Sequence, residues 1–509
     1  MSAASAAAGV RGRDFRLLWF GETTSALGAS VTGLALPLVA LAVLDAGVVA
    51  VGVLEAVTWL PWLVIGLPAG AWVDRLSRRR VMIGCDVVSL VAFASVPVAA
   101  ALGVLSLAQL VLVAAVAGTA NVFFTAAYRA LIPAVAGPEE LVGANARLQG
   151  AESAARVAGP GLGGLLAQAF GAANALLADA VSFAVSLGCL LRMRVAEAPR
   201  RSEPSVPSGP RPALRREIGD GLRFVWGDQL LRSLAGFGAL ANLTLSASNV
   251  LIIAFLVHDV GASAGTAGLL LALGGVGGVL GAAAVPSLTR RLGTGRALVA
   301  SMLAAPPAAL LVPLAASGWP VVLFVLGELG LVAAVVAGNI VRAGFVQRYC
   351  PAGLLGRVTA SQQVVNYGTI PIGAVVGGVL GAATGPRTAL LVVFAAYLAS
   401  NGLLAASPLR GLRELPTRAG NLSDGAGSIG DRADQRARDG RGGGRSGPRR
   451  ARSRAARGRG RGARAGLHPG RRRHRQDPGD HPPHRLRRAQ RCRARGPAAG
   501  RHLHRPRRR

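Results

Sequence analysis

Lysine is absent from this chain: all 57 of its basic residues are arginine. A Walker-type phosphate loop needs a lysine to reach the nucleotide phosphates, so the chain is not its own ATPase. Histidine is scarce too, with His258 alone before residue 468. A histidine-based metal cluster or a Ser-His-Asp triad is therefore excluded from that stretch. The four cysteines, Cys85, Cys189, Cys350 and Cys492, are too widely spaced to form a disulfide framework or a metal knuckle. Charged residues make up only 16% of the chain and aromatic residues 5%. No catalytic equipment is visible, and no enzyme, cofactor or metal site is expected.

What the sequence does contain is apolar surface: 51% of residues are hydrophobic and 69 are glycine. That is more than a soluble core of this size can bury, and the natural solvent is lipid. A bilayer core of about 30 Å takes roughly 20 apolar residues per helix. Twelve such stretches are predicted, near 17–44, 48–73, 81–102, 106–128, 144–170, 172–191, 233–257, 264–288, 297–316, 319–343, 358–383 and 386–406. Residues 1–16 carry Arg11, Arg13 and Arg16 but no short apolar core with a cleavage site, so the first helix is expected to stay attached.

Sorting the connections alternately separates the arginines. One set holds Arg75, Arg78, Arg79, Arg80, Arg129, Arg147, nine arginines from Arg192 to Arg232, then Arg290, Arg291, Arg296, Arg342, Arg348 and Arg357. The other holds only Arg387. Cytoplasmic loops are the arginine-rich ones, so both termini are expected in the cytoplasm of a multi-pass plasma-membrane protein. An error of one span would have mixed the two sets.

The formal charge of +33 does not point to nucleic acid. From Pro408 onward the chain holds 31 of the 57 basic residues and 7 of the 24 acids, a net of +24. From Asp431 to Arg509 there is no Phe, Tyr, Trp, Val or Ile, so nothing there can bury a core. Residues 407–509 are read as a disordered tail, with the composition that an out-of-frame reading of a GC-rich gene gives. A polybasic grip on anionic lipid or nucleic acid is the other reading of that segment.

Two halves are legible, residues 17–191 and 233–406, joined by a cytoplasmic linker over 192–232. In the linker Leu214, Ile218, Leu222 and Val225 share one helical face, as in an interfacial helix. Asn121 precedes Pro133 as Asn339 precedes Pro351, and GGLLAQAFG at 163–171 matches GGVLGAATG at 377–385. Duplicated halves are a transporter architecture, with the site at their interface near the midplane.

Three segments resemble the major facilitator superfamily, in particular its bacterial drug and siderophore (enterobactin- and macrolide-type) exporter branch. The first is Gly70-Ala-Trp-Val-Asp74-Arg75-Leu-Ser77-Arg78-Arg79-Arg80, with Ser77 where a second glycine is usual. The resemblance implies that Asp74 pairs with neighbouring guanidinium groups and a helix N-terminus to latch one side of the cavity, with Gly70, Arg75, Arg78 and Arg79 completing the gate. The second is Val157-Ala-Gly159-Pro160-Gly161-Leu-Gly163-Gly164, similar to the antiporter signature. Its natural packing partner is the glycine-rich eighth span, with Gly274, Gly275, Gly277, Gly278 and Gly281. The third, Trp19-Phe-Gly21-Glu22 through Pro37, resembles the family's first helix but has Ala29 where many members carry an aspartate. Glu22, two turns earlier on the same face, is an alternative proton carrier or a solvated entrance residue.

Charges inside spans usually face a cavity or a partner. Glu152 and Arg156 are one turn apart, where carboxylate and guanidinium can neutralise each other or, as cavity candidates, contact substrate. Asp86, Asp179 and Glu328 are isolated carboxylates; Glu22, Glu328 and Asp86 are the candidates for proton coupling. Asn121, Asn242, Asn249, Gln362, Gln363, Asn366 and Tyr367 are candidate cavity or interhelical hydrogen-bonding groups. The fold class expected is an all-α membrane bundle of twelve helices in two pseudo-symmetric halves. The function expected is secondary active transport by a monomer, driven by the proton gradient and exporting small hydrophobic or amphipathic molecules. An uptake carrier of the same fold and a non-transporting receptor or assembly protein are the alternatives.

Overall fold

The computed structural model describes residues 3–73, 75–137, 140–194, 223–350, 352–405 and 407–416. Among them are twelve long helices and no strand, as expected where lipid leaves every backbone group to be satisfied within its own segment. They are α1 (Ala3–Leu38), α2 (Gly47–Val73), α3 (Arg78–Ala101), α4 (Leu107–Ala136), α5 (Leu141–Phe170) and α6 (Leu177–Arg192) in the first half. The second half has α7 (Gln229–Ala254), α8 (Ala264–Leu292), α9 (Thr294–Ala309), α10 (Val321–Tyr349), α11 (Ala352–Thr384) and α12 (Pro386–Ala405). Among the described residues ten of these are long and apolar enough to cross a membrane; α5, which carries Arg147, Glu152 and Arg156, is not one of them. Several helices run past the predicted apolar stretches at the arginine-rich end: α3 begins at Arg78, α4 ends at Ala136 and α10 ends at Tyr349. Counting apolar residues marks the part in lipid, whereas helical hydrogen bonding continues into water.

Polar residues start the helices where the sequence supplies them. The hydroxyls of Ser77, Ser106 and Ser263 accept from the N–H three residues on, and Asp228 accepts from Leu230 and Leu231, both at 2.9 Å. These bonds satisfy donors that a helix start leaves open. Ser77, standing where the superfamily pattern has glycine, sits at φ −68°, which any residue adopts.

The repeat seen in the sequence recurs in the packing. In the first half Gly163 faces its own bundle, where an added Cβ would lie 3.1 Å from the Cα of Val31 in α1. Its neighbour Gly164 faces the other half, where a Cβ would lie 2.9 Å from the Cα of Gly268 in α8. In the second half Gly377 meets Ala247 of α7 with 2.8 Å to its Cα, and Gly378 meets Gly52 of α2 with 3.3 Å. The closing glycines of the two segments, Gly171 and Gly385, both end their helices at positive φ, 86° and 81°, a conformation L side chains avoid. α1 and α7 also finish alike, each in a π-helical turn, Val39–Val43 and Phe255–Asp259.

The halves therefore meet along two seams, α5 with α8 and α2 with α11. At the end opposite the arginines, Val250, Ile253, Ala254 and Ala374 join Leu34, Leu38, Val51 and Leu54 in one apolar core. Gln168 adds a polar tie there, its Oε1 accepting from the Gly265 N–H at 3.0 Å and the Ser263 hydroxyl at 3.2 Å. At the arginine-rich end the first half has a core of its own, built on Leu18, Val73, Met82, Leu131 and Leu148.

The chain does not leave the bundle at residue 407. A short turn over Pro408–Gly411 folds back beneath the helices, with Leu409 and Leu415 buried. Arg413 O accepts from the Gly295 N–H at 2.9 Å, and Glu414 accepts from the Thr294 hydroxyl at 2.7 Å and its N–H at 3.2 Å. The boundary placed at residue 407 thus moves to at least Pro416, because Leu409 and Leu415 find apolar partners in the second-half core. Residues 417–509 and most of the linker helix, including Leu214, Ile218 and Leu222, lie outside the described residues.

Candidate functional site

A cavity of about 980 Å³ is lined by residues of α1 to α6 alone among the described residues. Its wall is mixed. Leu36, Leu54, Phe93, Phe124, Trp59 and Trp62 supply apolar and aromatic surface, while Glu22, Glu55, Asp86, Glu152 and Asp179 supply carboxylates. Arg129 is the single basic residue among them. A few polar groups in a mostly apolar concavity are what a small-molecule site requires.

Each carboxylate is held differently. Asp179 is 1% exposed and fully engaged: Thr32 donates to it from α1 at 2.6 Å and Ser182 at 3.0 Å, where Gly28 leaves room for the carboxylate. Glu152 pairs with Arg156 on the same face of α5, and Gln149 donates to it at 3.2 Å. Asp86, fully buried, has neither oxygen hydrogen-bonded. Asp86 and Glu152 both lie close enough to Glu22 to act on it electrostatically, and Tyr128 feels Glu22 and Glu152 in turn. Buried carboxylates gathered around one cavity are a place where a proton and a cation can compete.

The structure brings together some of the sequence-predicted residues and separates others. Glu22, Asp86, Asn121 and Glu152 share this cavity. Arg156 is turned away from the lining, with a side chain 70% exposed and bonded to Glu152. Glu328 is elsewhere: it lies in the α8–α10 contact, where a Cβ on Gly274 would be 2.6 Å from its own Cβ, and its Oε1 lacks a partner. Asn242 is half-buried and Asn249 exposed on α7, and Gln362 is half-buried on α11. The side chains of Gln363 and Asn366, and Asp74 and Pro351 altogether, fall outside the described residues.

The arginine cluster of the α2–α3 connection holds helix ends. Arg78 donates to Ala130 O of α4 at 2.8 Å; Arg79 donates to Leu190 O at 2.7 Å and Leu191 O at 2.9 Å in α6. Gly70 meets nothing that a methyl group would touch, and Arg75 is exposed. In the antiporter-like segment, Gly159 packs on Ser30 of α1, and the Pro160 carbonyl lies against Gly268 of α8.

Sequence reasoning missed Glu55. It is the one acid in α2, and the rule that singled out Asp86 and Glu328, a lone carboxylate inside an apolar run, applies to it equally. The pairing of Asp179 with Thr32 had no such signal, because sequence does not say which faces of α1 and α6 meet.

Comparison with known proteins agrees with this architecture. Residues 4–422 match the transmembrane secretion effector family. The chain is 30% identical to the multidrug efflux pump Tap of Mycolicibacterium fortuitum over 391 residues, 74% of this chain and 91% of the pump. It is 29% identical to Tap of Mycobacterium tuberculosis (strain ATCC 25618 / H37Rv) over 416 residues, 80% of this chain and 95% of that one. Among solved structures it resembles the nucleoside transporter NupG, with TM-score 0.62 and 14% identity over 78% of this chain and 98% of that one. It likewise resembles a bacterial homologue of the iron transporter ferroportin in its inward-facing state, with TM-score 0.61 and 19% identity over 77% and 98%. The fold, the duplicated packing and the match over residues 4–422 together make the chain a member of the transmembrane secretion effector family, a secondary transporter of the major facilitator superfamily and not an enzyme.

Proposed function

We propose that the protein is a proton-coupled exporter of small hydrophobic or amphipathic molecules. The observation that carries this reading is the first-half cavity, in which tryptophan and phenylalanine surface shares one wall with Glu22, Asp86 and Glu152. An apolar wall takes up a lipophilic substrate, and carboxylates beside it can exchange a proton for that substrate as the halves rock. The likeness to the Tap multidrug efflux pumps supports export. The arginine-rich connections support a cytoplasmic position for that end of the bundle. With the opposite end sealed by the glycine seams and Gln168, the substrate then enters from the cytoplasmic side. The gate assigned to Gly70, Asp74, Arg75, Arg78 and Arg79 belongs to this reading, as does action as a monomer in the plasma membrane.

The test uses everted membrane vesicles from cells expressing the chain, loaded with a fluorescent amphipathic dye outside. Energising the vesicles is expected to drive dye accumulation, and a protonophore is expected to abolish it. Accumulation that survives collapse of the proton gradient removes the coupling. Energised movement only in the opposite direction makes the protein an uptake carrier.

A further inference from the structure

The carboxylates around the cavity outnumber its basic groups, and they are not equally occupied. Asp179 is satisfied by two hydroxyls and Glu152 by Arg156. Asp86, with no exposed surface, has no hydrogen-bond partner at either oxygen. Glu55 is half-satisfied: Trp59 Nε1 donates to Oε1 at 3.1 Å, and Oε2 has no partner among the described residues. Carboxylates in excess over basic groups, once ionised, repel anions and favour cations, most strongly where solvent is excluded.

Around Glu55 the geometry is more specific. Trp59 and Trp62 of α2 both meet Tyr367 of α11, with ring centroids 5.8 and 5.0 Å apart and planes inclined by 27° and 44°. Three electron-rich rings contributed by both halves thus stand beside a carboxylate whose second oxygen has no partner among the described residues. Aromatic faces attract cations, tryptophan most of all, and a delocalised or alkylated cation loses less hydration on entering such a site than a compact ammonium does.

We propose that Glu55, Trp59 and Trp62, with Tyr367 packed behind the two indoles, form a subsite for the charged end of a lipophilic organic cation, whose apolar body lies along the cavity wall. The subsite rests on the carrier reading above and names its substrate class. Because Tyr367 comes from the second half, the two indoles of the subsite are braced across the α2–α11 seam.

The experiment measures equilibrium binding of tetraphenylphosphonium, a permanent cation, and of N-phenyl-1-naphthylamine, a neutral aromatic, to the full chain in lipid nanodiscs. Glu55→Gln is expected to raise the Kd for the cation tenfold or more and to change the neutral probe's Kd less than twofold. Trp59→Leu and Trp62→Leu should each weaken the cation threefold or more. An unchanged cation Kd in Glu55→Gln overturns the subsite. If that variant fails to insert, an unchanged cation Kd in both ring variants does the same. Binding of the neutral probe alone by the unsubstituted chain removes the cation assignment and leaves the carrier reading intact; binding of neither probe removes both.

Discussion

Gly164 of α5 and Gly268 of α8 meet backbone to backbone across the two halves, with only 2.9 Å between an added Cβ on the first and the Cα of the second. Gly378 and Gly52 repeat the contact on the other seam. Helices this close gain dispersion contacts that larger side chains would forbid. Gly164→Ala should cost the closed arrangement about 1–3 kcal/mol, the usual penalty for overpacking, and Gly164→Leu should prevent closure. The expected outcome is a chain that inserts normally, loses at least nine-tenths of its transport, and labels faster at a cysteine placed at Ala254, which is buried in the core shared by both halves. Full transport by Gly164→Leu would show that the seam does not need to close.

The tie made by Gln168 predicts a smaller effect of the same sign. Its two hydrogen bonds, to Gly265 N–H and the Ser263 hydroxyl, contribute about 1 kcal/mol each. Gln168→Ala should therefore shift the balance toward opening at that end by about five- to thirtyfold. The labelling rate of the same reporter cysteine reads this shift, and an unchanged rate would mean that water replaces the tie at no cost.

Much of this arrangement was legible in the sequence because it depends on composition along the chain. The arginine asymmetry marked alternate ends, and the GG pairs at 163–164 and 377–378 marked the same two packing directions in each half. What depends on rotation about helix axes was not legible. Asp86, Asp179 and Glu328 read alike as isolated carboxylates, yet the first two face one cavity and the third packs on Gly274. The fold-back over residues 407–416 was also hidden: Leu409 and Leu415 stand among arginines and prolines, and their burial depends on a distant core.

Glu22 and Asp86 give a coupling test. In the proposed mechanism net proton movement is needed for uphill transport, whereas exchange of substrate for substrate across the membrane is not. Glu22→Gln and Asp86→Asn should abolish gradient-driven accumulation while retaining counterflow of labelled against unlabelled substrate at a third or more of the normal rate. Loss of both activities would assign these residues to binding or folding, and retention of both would move coupling to another group, with Glu328 the next to test.

The segment after α12 makes the last prediction, and it separates body from tail. A chain ending after Pro416 keeps Leu409, Leu415 and Glu414 in place; a chain ending after Ser407 loses all three. Removing a buried leucine side chain costs about 2–5 kcal/mol, so the shorter chain should melt several degrees lower and lose expression, while the chain ending after Pro416 should insert and transport as the full chain does. Acid should narrow the gap between the two. The Thr294 hydroxyl and N–H hold the exposed Glu414 carboxyl below its ordinary range, so its contribution is present above the unfolded carboxyl's pKa and fades as pH falls through the lower folded value. Melting of the two truncated chains in detergent from neutral to acid pH measures this. A gap that does not shrink would assign the segment's stability to the two leucines and the backbone hydrogen bonds rather than to Glu414, and equal melting at neutral pH would mean that residues 408–416 do not support the bundle.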